Sequence, residues 1–123
     1  MVAEDAPEVA RRVGALIEEH GAAELVGSVS NGEEALRLFE SAHPDGVVLD
    51  VRLPGKSGIE VLRTIRASGR RCLVVVMSSV AEPSIREACI SSGADYFLLK
   101  GAGYDALIEA LQVEAAHRRE EGL

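Results

Sequence analysis

Val47-Val48-Leu49-Asp50-Val51-Arg52-Leu53-Pro54-Gly55-Lys56-Ser57-Gly58 is an apolar run that ends in one carboxylate and is then broken by Pro and Gly before an amphipathic segment begins. Val and Leu without alternation suit a strand buried on both faces of a parallel sheet, and such sheets present ligands at the carboxyl ends of their strands. Asp50 stands at that end. An isolated Asp there can serve only its own turn, so its meaning depends on what the other strands end in.

Outward from this stretch, strand and helix alternate. Pro44-Asp45-Gly46 precedes the central strand, and Ser57 with Glu60 caps a helix carrying Ile59, Leu62 and Ile65, closed by Gly69. Leu73 to Met77 is a second continuous apolar strand ending in Ser78-Ser79. Pro83 opens a helix with Ile85, Ala88 and Cys89 on one face and Gly93 as its stop. Tyr96-Phe97-Leu98-Leu99 ends in Lys100, and Tyr104, Leu107, Ile108 and Leu111 mark a last amphipathic helix. Residues 112–123 read as the end of that helix and a polar tail.

Upstream, Leu25 to Val29 is a short strand, and Asn31 caps a helix with Ala35, Leu36, Phe39 and Ala42 inward. Pro7 starts a helix carrying Val9, Val13, Leu16 and Ile17, with Gly21 as its stop. Only Met1-Val2-Ala3 precede the acidic pair Glu4-Asp5, a very short first strand. Five strands alternating with five helices predict an α/β, doubly wound parallel sheet covered on both faces.

The chain has 123 residues, which suits one domain over 1–123. With no Trp and 3% aromatic residues, it has few surfaces on which bases or flavins could stack. A net charge of −7 repels phosphate backbones and anionic lipid, so direct nucleic-acid and membrane partners are not expected. Cys72 and Cys89 lack metal-site spacing and read as buried thiols, in keeping with a cytoplasmic protein.

Parallel strands bring Glu4-Asp5, Asp50, Ser78 and Lys100 to one rim. Packing does not ask for three carboxylates, a hydroxyl and an ammonium in one place, and neighbouring carboxylates resist ionising together unless a cation sits among them. Magnesium, or another hard divalent cation, fits. Asp5 and Asp50 would be direct ligands, Glu4 would act mostly through water, and a backbone carbonyl of the loop after Asp50, at Arg52, would add another oxygen. A carboxylate so placed can attack phosphorus, with Lys100 neutralising phosphoryl oxygens and Ser78 donating a hydrogen bond.

These residues resemble the response-regulator receiver family from Glu4 to about Leu111. The resemblance rests on Glu4-Asp5, on Val48-Leu49-Asp50 with Leu53-Pro54-Gly55 and Gly58, on Val75-Val76-Met77-Ser78-Ser79, and on Gly93-Ala94-Asp95 running to Leu98-Leu99-Lys100. It implies the flavodoxin-like receiver fold with strand order 2-1-3-4-5. It implies Asp50 as phosphoacceptor, Glu4 and Asp5 as the acidic metal pair, Ser78 as switch hydroxyl, Phe97 as switch aromatic and Lys100 as phosphate contact. It also implies a histidine kinase or phosphotransfer protein as donor, with output through the face of helix four, strand five and helix five to a protein partner the sequence does not name. The chemistry is self-directed, so the chain is expected to be a signalling switch and not an enzyme acting on other molecules. Arg52 stands where it can affect access of water to an acyl phosphate.

Two positions depart from the family pattern. Gly101 follows Lys100 where Pro, often cis, is usual, which predicts a looser loop. The first strand is clipped, which predicts unpaired backbone on its neighbours and a cavity beneath helices one and five. Three resolutions are open: a start that lies upstream of Met1, another segment filling the gap, or two chains pairing as a homodimer or exchanging elements.

The alternative reading is a receiver-like protein-binding module that is never phosphorylated. A haloacid dehalogenase-like phosphatase would want Asp two residues after Asp50, where Arg52 stands. A flavodoxin-type cofactor binder would want a Ser/Thr-rich loop after strand one, where Asp-Ala-Pro stands.

Overall fold

The uninterrupted apolar runs are buried from both sides. Val47 and Leu49 face one core with Val74 and Val76, while Val48 faces the other with Val75 and Met77. This follows from the period of two along a strand, which sends successive side chains to opposite faces. The computed structural model describes residues 1–20 and 23–121. Its elements are β1 (Val2–Ala3), α1 (Pro7–His20), β2 (Ser28–Val29), α2 (Gly32–Ala42), β3 (Gly46–Asp50), α3 (Gly58–Ala67), β4 (Leu73–Ser78), α4 (Pro83–Ser91), β5 (Tyr96–Leu99) and α5 (Tyr104–Glu121). The sheet is parallel with order β2-β1-β3-β4-β5, as expected.

Helices α2, α3 and α4 cover one face through Ala35, Phe39, Val61, Leu62, Ile65 and Cys89. Helices α1 and α5 cover the other through Val13, Ile17, Leu107 and Leu111. The two expected caps are in place, with the Glu34 amide donating to Asn31 Oδ1 at 2.9 Å and the Glu60 amide to Ser57 Oγ at 3.3 Å. Both thiols are buried. Of the α4 face expected from sequence, Cys89 is fully buried while Ile85 and Ala88 are half-buried. The proposed stop at Gly21 lies outside the described residues.

The first strand is as short as the sequence suggests, yet it pairs on both sides. Val2 lies opposite Ser28 and Val48, and Ala3 opposite Val29 and Leu49. Its ladder is extended at one end by the Met1 ammonium, which donates to Gly46 O at 3.0 Å. Burial holds that ammonium below the ordinary range for a chain terminus. Strand β2 is only Ser28–Val29, not Leu25 to Val29, because β1 offers rungs to no more of it. Beyond Met1 the expected gap is an open cleft of about 500 Å³ between the sheet and helices α1 and α5, lined by Met1, Ile17, Leu25, Val48 and Leu111.

The last helix runs ten residues past Leu111 to Glu121, so the end of the helix takes up most of the segment read as helix end and polar tail. Arg118 bonds Glu114 Oε1 at 2.9 Å, one turn back, as well as the Asp45 carboxylate at 3.1 Å and its carbonyl at 3.2 Å. Arg71 reaches Glu114 and Glu121. Such exposed pairs are worth less than ~1 kcal/mol each, but together they tether α5 to the chain entering β3 and β4.

The cleft yields a prediction about stability. A buried apolar side chain contributes ~2–5 kcal/mol, and one kcal/mol moves the midpoint of a chain of this size by ~4 °C. Adding four apolar residues ahead of Met1 is expected to raise the melting temperature by several degrees. No gain, with a melt independent of protein concentration, would show that a two-residue β1 closes the sheet unaided.

Candidate functional site

Register alone assembles the rim. Ala3 lies opposite Leu49, so Glu4 follows beside Asp50; Ser78 lies opposite Leu99, so Lys100 follows beside the end of β4. Asp50 and Glu4 are each about 5% exposed, and Asp5 is exposed. Lys100 bridges the two buried carboxylates, its Nζ 2.5 Å from Glu4 Oε1 and 3.3 Å from Asp50 Oδ2. Asp50 Oδ1 also accepts the Arg52 amide at 3.2 Å.

One cation does not neutralise this cluster. Burial, reinforced by the neighbouring Asp50, pushes the Glu4 carboxyl up to about 7, against the pull of Lys100. Burial also opposes charge on Lys100, but its bond to Glu4 and the charge of Asp50 outweigh that and hold it above its ordinary range. Glu4 Oε2 is buried and, among the described residues, has no hydrogen-bond partner. Ligand oxygens of Glu4, Asp5 and Asp50 all lie within 4.8 Å of one another. An all-oxygen donor set with one orphaned buried oxygen fits a hard divalent cation.

The loop that follows Asp50 is folded back tightly by Gly58, whose amide donates to Val51 O at 3.1 Å. A Cβ on Gly58 would stand 2.2 Å from Asp50 O, so no other residue fits there without moving the strand end. The Arg52 side chain is exposed and its backbone belongs to this loop. Ser78 is buried at the end of β4, where its hydroxyl donates to Val80 O at 3.0 Å and accepts the Val80 amide at 3.1 Å. Phe97 is buried in the core on the α2, α3 and α4 side.

The structure thus brings Glu4, Asp5, Asp50 and Lys100 together, and it places Ser78 nearby with its hydroxyl turned to its own loop. Sequence reasoning did not foresee that Glu4 would be Lys100's nearest partner. The one available signal was the parallel register, which sets Glu4 beside Asp50.

Comparison with known proteins bears on the family and the fold. The family model for the response regulator receiver domain matches residues 1–112. The transcriptional regulatory protein PdtaR of Mycobacterium tuberculosis is 31% identical over 120 residues, covering 98% of this chain and 58% of that protein. Among solved structures, a DNA-binding response regulator of the LuxR family from Staphylococcus aureus superposes with a TM-score of 0.86 at 29% identity, covering 93% of this chain and 95% of that one. The BeF3-activated receiver domain of RstA from Klebsiella pneumoniae gives 0.84 at 26%, with 93% and 95% covered.

The parallel sheet of order β2-β1-β3-β4-β5 with five helices is the fold of receiver domains. The chain belongs to the response regulator receiver family of two-component systems. It spans a little over half the length of the first curated relatives it matches, 56%, 55% and 58% of them.

Proposed function

We propose that this receiver takes a phosphoryl group on Asp50 from a histidine kinase or phosphotransfer protein and changes a protein-binding face in response. The supporting observation is the buried Asp50 carboxylate beside Lys100 and the orphaned Glu4 oxygen. An Asp50 oxygen forms the new P–O bond as the P–N bond of the donor's phosphohistidine breaks, its electron pair returning to the imidazole. Lys100 follows the charge, from the carboxylates to a phosphoryl oxygen. Glu4, Asp5, Asp50 and the Arg52 carbonyl would hold a divalent cation, which when bound supplies charge neutralisation at the phosphoryl oxygens. Residues 1–123 act as one receiver domain in the cytoplasm; among the described residues no helix is long and apolar enough to cross a membrane.

The response begins at Ser78. Its hydroxyl must leave Val80 to reach a phosphoryl oxygen, which frees the loop into α4 and repacks the core around Phe97. The region so altered carries the exposed Ile90 of α4 and Tyr96 and Leu99 of β5, apolar side chains that a protein partner would cover. Exposure to a small acyl-phosphate donor with magnesium tests the reading: one adduct of about 80 Da is expected by intact mass. No adduct from that donor or from a histidine kinase would end it.

Lys100→Ala is expected to slow phosphate uptake by ~10–100-fold, while Lys56→Ala, an exposed control, changes it little. Equal effects would mean that Lys100 points elsewhere in solution. Ser78→Ala should leave uptake largely intact but blunt the conformational change, read as the difference in amide NMR shifts around Phe97 with and without phosphate. Undiminished shift changes in that variant would disconnect Ser78 from the response.

A further inference from the structure

Lys100 must be aimed by backbone, because its side chain is long and the sheet ends one residue before it. The Lys100 amide donates to Ser78 O at 2.9 Å, the last rung between β4 and the chain leaving β5. The chain then turns back and enters α5 at Tyr104. The turn is closed by the Gly103 amide, which donates to Leu99 O at 2.8 Å across Lys100, Gly101 and Ala102. It is a closed turn and not the loose loop that Gly101 suggested. Gly103 O in turn accepts the Leu107 amide at 2.9 Å, the first rung of α5.

Gly103 has no room for a side chain. A Cβ there would lie 2.6 Å from Leu99 O and 2.9 Å from Leu98 Cβ, and the first of these is backbone that cannot swing away. Gly101 differs. Its φ of +84° favours glycine or asparagine, but nothing lies within 4 Å of where its Cβ would be.

We infer that Gly103 is the positioning residue for Lys100: the close approach it permits between the end of β5 and the start of α5 sets the Lys100 ammonium between Glu4 and Asp50. A methyl group at 103 must push either the last residue of β5 or the first turn of α5, and Lys100 hangs from both. The inference rests on the proposed role of Lys100 in phosphotransfer, but the placement itself is independent of that chemistry.

The test compares wild type, Gly103→Ala, Gly101→Asn, Lys100→Ala and the Gly103→Ala/Lys100→Ala double variant, each with acyl phosphate and magnesium. Gly103→Ala is expected to slow phosphate uptake at least about tenfold, since misplacement by about 1 Å can cost ~100-fold. Gly101→Asn should stay within about twofold. The double variant should be no slower than Lys100→Ala by more than about twofold, because Gly103 acts through Lys100. Multiplied losses in the double variant would overturn the inference.

A crystal structure of Gly103→Ala supplies a readout without phosphate: Lys100 Nζ should leave hydrogen-bond distance of Glu4 or Asp50, and an Nζ still 2.5 Å from Glu4 Oε1 and 3.3 Å from Asp50 Oδ2 would overturn the inference. If Gly103→Ala does not fold, inserting one glycine between Gly101 and Ala102 lengthens the turn without a clash and should give the same two results. A wild type that takes up no phosphate defeats the proposed function, while the position of Lys100 Nζ still judges Gly103.

Discussion

Replacing Asp50 by Asn is expected to abolish phosphate uptake outright. The amide keeps the size and the hydrogen-bonding plane of the carboxylate, so the Arg52 amide at 3.2 Å retains an oxygen to donate to. What is lost is the nucleophile. Loss of the Asp50 charge also removes one of the two anions that hold Lys100 and one of the groups that raise Glu4. Glu4 is the other buried carboxylate among the described residues and therefore the competing acceptor. Its Oε1 is held by Lys100, while its Oε2 lies buried without a partner. Intact mass after treatment with an acyl-phosphate donor decides between them. The Asp50→Asn chain should show no adduct of about 80 Da where the wild-type chain shows one; a stable adduct on the variant would move the acceptor to another residue.

The parts of this fold that were legible in sequence are those fixed by local chemistry. Val47 to Leu49 and Leu73 to Met77 declare buried strands because every side chain in them must be apolar whichever face it meets. Asn31 and Ser57 declare helix starts because each satisfies an amide three residues on. The rim followed from strand direction alone.

The rest depended on partners far away in the chain. Strand β2 shrank to two residues because β1 has no more rungs to give it. How far the last helix runs, to Glu121, went unread because Arg118 finds Asp45, and Arg71 finds Glu114, across long stretches of chain. The Arg66 clamp on Gly93 O, Cys72 O and Asp95, which joins α3 to the chain entering β4 and β5, left no trace in any local pattern. At the site, the pairing of Glu4 with Lys100 and the bond between Ser78 and Val80 both turn on side-chain directions. Composition and spacing do not encode these.

Removing divalent cations is expected to stop phosphate uptake and to withdraw a stabilisation that grows with pH. Burial lifts the Glu4 carboxyl from its ordinary 4.5 to about 7 in the folded chain without a cation. The folded state therefore holds a proton that the unfolded state has already released between those values. Stability from this group is fully present below about 4.5 and is lost as pH rises through about 7. A divalent cation needs the ionised carboxylate, so it competes with that proton at low pH and replaces it at high pH. Magnesium should accordingly raise the melting temperature more at pH 8 than at pH 6, and a chelator should erase the rise at both. In the phosphorylation assay the chelator should reduce uptake to background, since Lys100 is then shared between Glu4 and Asp50 and little positive charge is left for the phosphoryl oxygens. A rate unchanged by chelation would show that Glu4, Asp5 and Asp50 do not hold a cation during transfer. A magnesium-induced rise that is equal at the two pH values would show that Glu4 is not among its ligands, leaving the orphaned oxygen to be explained by burial alone.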